Sequence, residues 1–185
     1  PKALRHKFLM AQSADARELT ADTLPEGFES IPLPGHFFDM AGLRTPDNVV
    51  FLADCLSSRE TLEKYRIGFI YDVKAYIDTL EKVKELEASC FVPAHAAVCA
   101  DVREIAQYNI DTVREIAERI VSVCSEPQSF EIILKRLFDE YSLELSLEQY
   151  ALVGSTVRSY LAYLLDEGRL CVKCEDNMLL WEAAD

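Results

Sequence analysis

The sequence has few basic residues, only three histidines and no long apolar run. Its 185 residues include 19 Lys and Arg against 32 Asp and Glu, so the formal net charge is −13. Such a charge repels phosphate backbones and anionic lipid surfaces, which disfavours broad binding of nucleic acids or membranes. No apolar stretch approaches the ~18–20 residues that cross a bilayer. We therefore predict a globular protein that does not span a membrane.

The six cysteines do not point to a disulfide framework. Their even number permits disulfides, but a chain of 185 residues can bury a hydrophobic core without them. Most of them lie beside apolar residues, which favours reduced, partly buried thiols and hence a cytoplasmic protein. The six are Cys55, Cys90, Cys99, Cys124, Cys171 and Cys174.

Apolar periodicity divides the chain into two parts. In residues 1–124, buried strands at 49–53 and 90–93 alternate with helices at 72–88 and 101–124. The Ser-Glu-Pro at 125–127 interrupts this pattern. In residues 125–185, helices at 129–141, 146–154 and 155–167 precede a hairpin of 169–173 and 178–181, with Gly154 ending the second helix. This order is typical of a winged helix. We predict an α/β chain with domains 1–124 and 125–185.

Three polar residues stand where predicted strands or extended segments end. His36 follows a proline-rich segment, Asp54 follows the strand at 49–53, and His95 follows the strand at 90–93. Binding sites in sheets covered by helices form outside strand ends, so the three side chains are expected to converge. Histidine and aspartate bind zinc, and they also suit iron and manganese. Each residue taken alone is equally explained as an ordinary polar side chain.

The ordered motifs around these residues resemble the C-terminal half of the metallo-β-lactamase superfamily, in its glyoxalase-II-like branch. The resemblance covers residues 30–100 and rests on four segments, which are LPGH at 33–36, GLRTPD at 42–47, VVFLADCL at 49–56 and FVPAH at 91–95. It implies that residues 1–124 form half of an αββα sandwich, which is then followed by the winged helix.

The resemblance also implies a function. His36 would bind a first metal ion, His95 a second, and Asp54 would bridge both and be the catalytic residue. In the superfamily, a metal-bound hydroxide attacks a carbonyl or phosphoryl centre. We therefore expect a zinc-dependent hydrolase (or an iron or manganese one) of a small-molecule ester or thioester. A nuclease-type phosphodiester hydrolase and a non-catalytic interaction module are the alternatives.

The sequence departs from the superfamily pattern in several places. The motif His-x-His-x-Asp-His is absent, and His6 is the only other histidine. Each metal ion would then have two ligands from this chain, where zinc needs three or four. We expect the chain to be incomplete alone and the other ligands to come from an N-terminal half or a homo-oligomer partner; a degenerate relative is the third possibility. Ala53 and Ala94 also replace glycines common in the superfamily.

Two features of the C-terminal part could be taken for a metal site and for a DNA-binding surface, and we predict neither. Cys171 and Cys174 have the Cys-x-x-Cys spacing but no second pair to complete a zinc ribbon, and in a strand they would face opposite sides. A winged helix suggests DNA binding, yet residues 125–185 carry five Lys and Arg against twelve Asp and Glu. We therefore expect packing rather than DNA binding from this part.

Overall fold

The structure, a computed structural model, describes residues 15, 19–20 and 22–184. Its elements follow the chain in this order: β1 (Glu29–Pro32), β2 (Ala41–Arg44), β3 (Val49–Ser57), α1 (Arg59–Tyr65), α2 (Val73–Lys84), β4 (Cys90–His95), α3 (Arg103–Val123), β5 (Gln128–Ser129), α4 (Phe130–Glu140), α5 (Leu147–Asp166), β6 (Leu170–Glu175) and β7 (Met178–Ala183). The chain is thus mixed α/β, as the sequence predicts.

The first sheet has the strand order β1-β2-β3-β4. Its first three strands are antiparallel, while β4 runs parallel to β3 because α1 and α2 form the crossover between them. Along β3, Val50 and Leu52 are buried in the core to which α2 and α3 contribute, whereas Phe51 is 43% exposed on the opposite face. The prediction of a fully buried strand is therefore wrong for one face of β3.

The predicted strands and helices of residues 1–124 are present, with altered ends. β3 continues to Ser57 and β4 to His95, so that Asp54 and His95 lie within strands rather than after them. Helix α2 begins after Asp72, whose carboxylate accepts a hydrogen bond from the Ala75 amide at 2.9 Å. The sequence analysis did not predict β1, β2 or α1.

The C-terminal segment has two helices of its own and a three-stranded antiparallel sheet of order β5-β7-β6. The prediction that Gly154 ends a helix is wrong, because α5 passes through it without interruption. Gly154 lies among buried residues of α5, and their burial outweighs the ~1 kcal/mol that one glycine costs in a helix. One buried apolar cluster runs from Leu33 to Leu170, so both segments contribute to it. The boundary at 124/125 stays a prediction.

All six cysteines are free. Cys55 and Cys124 are buried, whereas Cys171 and Cys174 are exposed on β6. Among the described residues, no helix combines the length and the apolar character needed to cross a membrane.

Candidate metal centre

The structure brings together the three residues that the sequence singles out. The Asp54 carboxylate lies between two imidazoles: His36 Nε2 is 3.8 Å from Asp54 Oδ2, and His95 Nε2 is 3.4 Å from Asp54 Oδ1. Each histidine thus faces a different oxygen of the same carboxylate. The three side chains are 26%, 42% and 55% exposed for His36, Asp54 and His95, so the cluster is accessible from solvent.

The turn that carries His36 is fixed against α2. The Pro34 carbonyl accepts a hydrogen bond from the Thr79 hydroxyl at 2.6 Å, and the Gly35 carbonyl accepts from the amides of Tyr71 and Asp72 at 2.9 and 3.0 Å. Gly35 has φ +123°, and a Cβ at this position would lie 2.3 Å from the Tyr76 backbone. Only glycine can therefore place His36 here, because any side chain would push α2 away.

The His36 ring is half-buried against Phe69. The two rings meet edge to face with their centroids 5.4 Å apart. Burial lowers the pKa of His36 below its ordinary value, and the Asp54 carboxylate opposes this effect. A lowered pKa favours the neutral imidazole, which is the form that binds a metal ion. The edge-to-face contact with Phe69 also orients the ring.

Asp54 is presented by an irregular stretch of β3. The register to β4 shifts between Phe51 and Ala53 and again between Ala53 and Ser57, and Ala53 has φ +47°. Such irregularities redirect side chains beside functional sites. The next residue, Cys55, is fully buried in the core. Burial, and then the nearby Asp54 charge, raise the pKa of the Cys55 thiol to about 12, so this thiol takes no part in the centre.

The end of β4 that carries His95 is held to β3 through the backbone. His95 pairs with Ser57, and its carbonyl accepts a hydrogen bond from the Ser58 amide at 2.8 Å. Ser57 is in turn held by the side chain of Asn109 on α3, which accepts from the Ser57 amide at 2.9 Å and donates to the Ser57 carbonyl at 2.9 Å. This amide clamp fixes the strand end beside which His95 lies.

Sequence analysis did not identify Asn109 as part of the site. It is 1% exposed and makes two further hydrogen bonds, donating to the Ile105 carbonyl at 2.8 Å and accepting from the Tyr76 hydroxyl at 3.3 Å. The one feature of the sequence that could have indicated Asn109 is its position beside Ile110 on the apolar face of a long amphipathic helix. A polar amide there must find partners within the protein, although the sequence does not say which.

The donor set fits part of a zinc site. Imidazole nitrogen and carboxylate oxygen are zinc ligands, and a carboxylate with one imidazole on each oxygen matches a bridging role. Across residues 22–184, however, no three His, Cys, Asp or Glu side chains converge on a single point where they could hold one ion. His6 lies outside the described residues. If each of two ions were held here, this cluster would supply about two donors to each, fewer than the number that a stable zinc site needs.

An aromatic surface adjoins the cluster. A cavity of about 470 Å³ is lined by His36, Asp54, Ala53 and the four residues 37–40. Phe37 and Phe38 are exposed, their ring centroids are 4.5 Å apart, and both rings contact Tyr71 at 6.0 and 5.8 Å. The candidate centre thus opens beside an apolar wall. In the superfamily that the sequence resembles, small residues usually stand where this chain has the two phenylalanines.

Two solved structures are similar to this chain. A metallo-beta-lactamase family protein from Thermus thermophilus is 17% identical with a TM-score of 0.65, and the match covers 84% of this chain and 49% of that one. A beta-lactamase domain protein from Burkholderia ambifaria is 18% identical with a TM-score of 0.62, and the match covers 87% and 52%. The chain has part of the metallo-β-lactamase fold.

The likeness is one of fold, because both identities are low. The sequence matches no family model, and no curated protein is similar enough to count as a relative. The chain spans about half the length of the two solved structures of metallo-β-lactamase type. Residues 1–124 make up about two thirds of the chain. Matches that cover 84% and 87% of it therefore extend into the C-terminal segment. The glyoxalase-II-like branch stays a prediction.

Proposed function

We propose that this chain is the part of a zinc-dependent hydrolase that contributes His36, Asp54 and His95 to a two-metal centre, with iron or manganese as alternative metals. The observation that carries the proposal is the approach of two imidazoles to the two oxygens of one carboxylate, at 3.8 and 3.4 Å. A carboxylate that only caps a turn needs no imidazole on either side. A carboxylate that bridges two metal ions needs a further ligand for each ion, and one imidazole beside each of its oxygens would provide it.

Each residue has a distinct role in this proposal. His36 is oriented by Phe69 and kept neutral by burial, so its nitrogen is ready to bind. Asp54 is the shared ligand and the residue on which catalysis depends most. His95 is the ligand on the more exposed side. The chemistry that bound zinc would supply is the activation of water for attack at neutral pH.

We propose an ester or thioester of a small apolar acid as the substrate. The exposed rings of Phe37 and Phe38 beside His36 offer an apolar surface to an acyl group. The net charge of −13 disfavours a polyanionic phosphodiester such as RNA, which is the substrate of the nuclease-type alternative. The remaining metal ligands would come from an N-terminal half or from a second copy of the chain.

We propose that the C-terminal segment is a winged helix that uses the end of α3 as its first helix. The order α3-β5-α4-α5-β6-β7 and the sheet order β5-β7-β6 support this proposal. Its longest helix, α5, has Arg158 as its one basic residue. That guanidinium stacks on Phe130 at 3.5 Å and donates to the Gly154 carbonyl at 3.1 Å. It is therefore engaged within the segment, which favours packing over DNA binding.

Zinc titration of the purified protein, with Asp54→Asn and Asp39→Asn as a matched pair, tests the metal centre. Asp39 is an exposed carboxylate that lines the same cavity. We expect weak but saturable zinc binding by the wild type, because the chain alone offers each ion about two of the three or four ligands that zinc needs. We expect Asp54→Asn to weaken it by at least about 100-fold, because loss of even an outer partner costs ~10–100-fold. Asp39→Asn should stay within about twofold of the wild type, since an exposed charge that is not one of the proposed ligands is screened by solvent.

Two outcomes would contradict the proposal. If the wild type shows no saturable zinc binding, or if Asp54→Asn binds as tightly as Asp39→Asn does, then the cluster is not a metal centre and an interaction module becomes the better hypothesis. Sedimentation with and without zinc separates the two sources of the other ligands, because a second copy would make binding depend on protein concentration.

A further inference from the structure

A small, partly enclosed cavity lies between the candidate metal centre and the C-terminal helix α5. Its volume is about 60 Å³, and its lining includes His36, Asp54, Asn109 and Tyr76 from the first segment together with Tyr160 from α5. This cavity is distinct from the open one beside Phe37 and Phe38. It places one residue of the C-terminal segment next to the proposed ligands.

The Tyr160 hydroxyl is buried without a hydrogen-bond partner in the described part of the chain. Tyr160 is fully buried, and within residues 22–184 no protein atom forms a hydrogen bond with its hydroxyl. Burial raises the pKa of Tyr160 well above its ordinary value, so the phenol stays protonated and keeps a proton to donate. Buried hydroxyls in native proteins nearly always have a partner, either protein or ordered water.

The cavity has the size and the lining that buried water requires. One water occupies ~30 Å³ in the liquid, so 60 Å³ holds about two. Buried water also needs two to four polar partners. Tyr160 and Asp54 provide a hydroxyl and a carboxylate. The amide of Asn109 also lines the cavity, but both of its donors and both of its acceptor positions are already used within the protein.

The direction of the hydrogen bonds in the cavity depends on which hydroxyl protons already have an acceptor within the protein. The Tyr76 hydroxyl donates to Asn109 Oδ1 at 3.3 Å, so its proton is committed. The proton of Tyr160 has no protein acceptor in the described part of the chain. Asp54 has only acceptor oxygens when it is ionised. A chain from the Tyr160 O–H through water to the Asp54 carboxylate satisfies both ends.

We propose that one or two buried waters in this cavity link the Tyr160 hydroxyl to Asp54, so that Tyr160 is a positioning residue that the C-terminal segment supplies to the metal centre. The water link stands on the cavity and the buried hydroxyl alone, whereas its effect on metal binding rests on the proposed function. The link gives the C-terminal segment a role in the centre: it helps to hold the shared carboxylate in place.

Tyr160→Phe tests the proposal, with Tyr141→Phe as its control. Tyr141 carries a second buried hydroxyl of the C-terminal segment, and it does not line the cavity. A crystal structure of the wild type should show ordered water within hydrogen-bond distance of Tyr160 Oη. Tyr160→Phe should lower the melting temperature by about 2–4 °C, because the water loses a partner. It should weaken zinc binding about tenfold, whereas Tyr141→Phe should leave zinc affinity unchanged.

The possible failures are distinguishable. A dry cavity together with a higher melting temperature for Tyr160→Phe would overturn the water link, because removal of an unpaired buried hydroxyl stabilises a protein. A zinc affinity of Tyr160→Phe equal to that of the wild type, with zinc bound by the wild type, would overturn the positioning role. Absence of zinc binding in the wild type would overturn the proposed function, while the water density and the melting temperatures would still decide the water link.

Discussion

The two histidines beside Asp54 are held by different means. His36 lies in a turn that is packed against the start of α2, half-buried under Phe69. His95 lies at the end of β4, with 55% of its side chain exposed. The His36 side is fixed by steric fit around a glycine. The His95 side is fixed by hydrogen bonds to the backbone of Ser57, through which Asn109 on α3 acts.

This difference separates two ways of holding a ligand in place. A steric fit tolerates no added atom, whereas an amide clamp tolerates small shifts but not the loss of its partners. Damage to either side is therefore expected to affect one histidine more than the other. The following predictions test that separation, from the largest expected effect on stability to the smallest.

Gly35→Ala should be the most damaging single-methyl change near the centre. Its Cβ would lie 2.3 Å from the Tyr76 backbone and 2.8 Å from that of Ala75, and φ +123° is unfavourable for any residue with a Cβ. We expect a loss of about 3 kcal/mol or more in the free energy of unfolding, measured by urea denaturation. The imidazole NMR signals of His36 should shift more than those of His95.

Ala94→Gly is the matched change on the other side. Ala94 precedes His95 as Gly35 precedes His36, but it is exposed and lacks a positive φ. Here we expect a loss of only about 0.5–1 kcal/mol, from the entropy of glycine in a strand. Equal losses for Gly35→Ala and Ala94→Gly would remove the asymmetry between the two sides.

Asn109→Ala should be the next most damaging change, and it should act on the His95 side. It leaves the amide and carbonyl of Ser57 and the Tyr76 hydroxyl without their partner. We expect a loss of about 2–4 kcal/mol by urea denaturation. Hydrogen exchange at the Ser57 amide should speed up, and the His95 signals should shift more than those of His36.

Thr112→Ala is the control for Asn109→Ala on the same helix. The Thr112 hydroxyl donates only to the Tyr108 carbonyl one turn earlier, at 2.9 Å. The helix keeps its own hydrogen bonds without that contact, so we expect a loss below about 1 kcal/mol and unchanged exchange at Ser57. A Ser57 amide that exchanges as slowly in Asn109→Ala as in Thr112→Ala would show that Asn109 does not hold the strand end.

The parts of the molecule that the sequence predicts are those set by local pattern. Apolar periodicity identifies β3, β4, α2 and α3, and ligand-type residues near strand ends meet because neighbouring strands end at one edge of the sheet. The three residues beside which a metal ion is proposed are therefore accessible to sequence reasoning. Their chemistry and their positions near strand ends suggest the group, and the resemblance of the surrounding motifs to the metallo-β-lactamase superfamily is what favours it over three unrelated polar residues.

The parts that sequence reasoning misses depend on contacts between distant segments. Gly154 continues a helix because α5 buries residues on both sides of it, such as Val153 and Val157, which a local glycine rule does not anticipate. Asn109 meets Ser57 across 52 positions of the chain. Tyr160 on α5 lines the cavity that His36 and Asp54 also line, although no residue near it in the sequence indicates a place beside them. Such pairings arise only when the tertiary fold is formed.

Ala53→Gly should have the smallest effect, and it should be stabilising. Ala53 has φ +47°, where an L-residue with a Cβ costs ~1–2 kcal/mol, and glycine is relieved of that cost. Glycine also adds entropy to the unfolded chain, so we expect a net gain of about 0.5–1 kcal/mol by urea denaturation. Ala94→Gly is the contrast, since the same substitution at an ordinary φ should destabilise. Opposite signs for the two changes would place the strained backbone of the centre at Ala53, directly before Asp54. A loss at both positions would mean that the irregularity in β3 carries no strain that glycine can relieve.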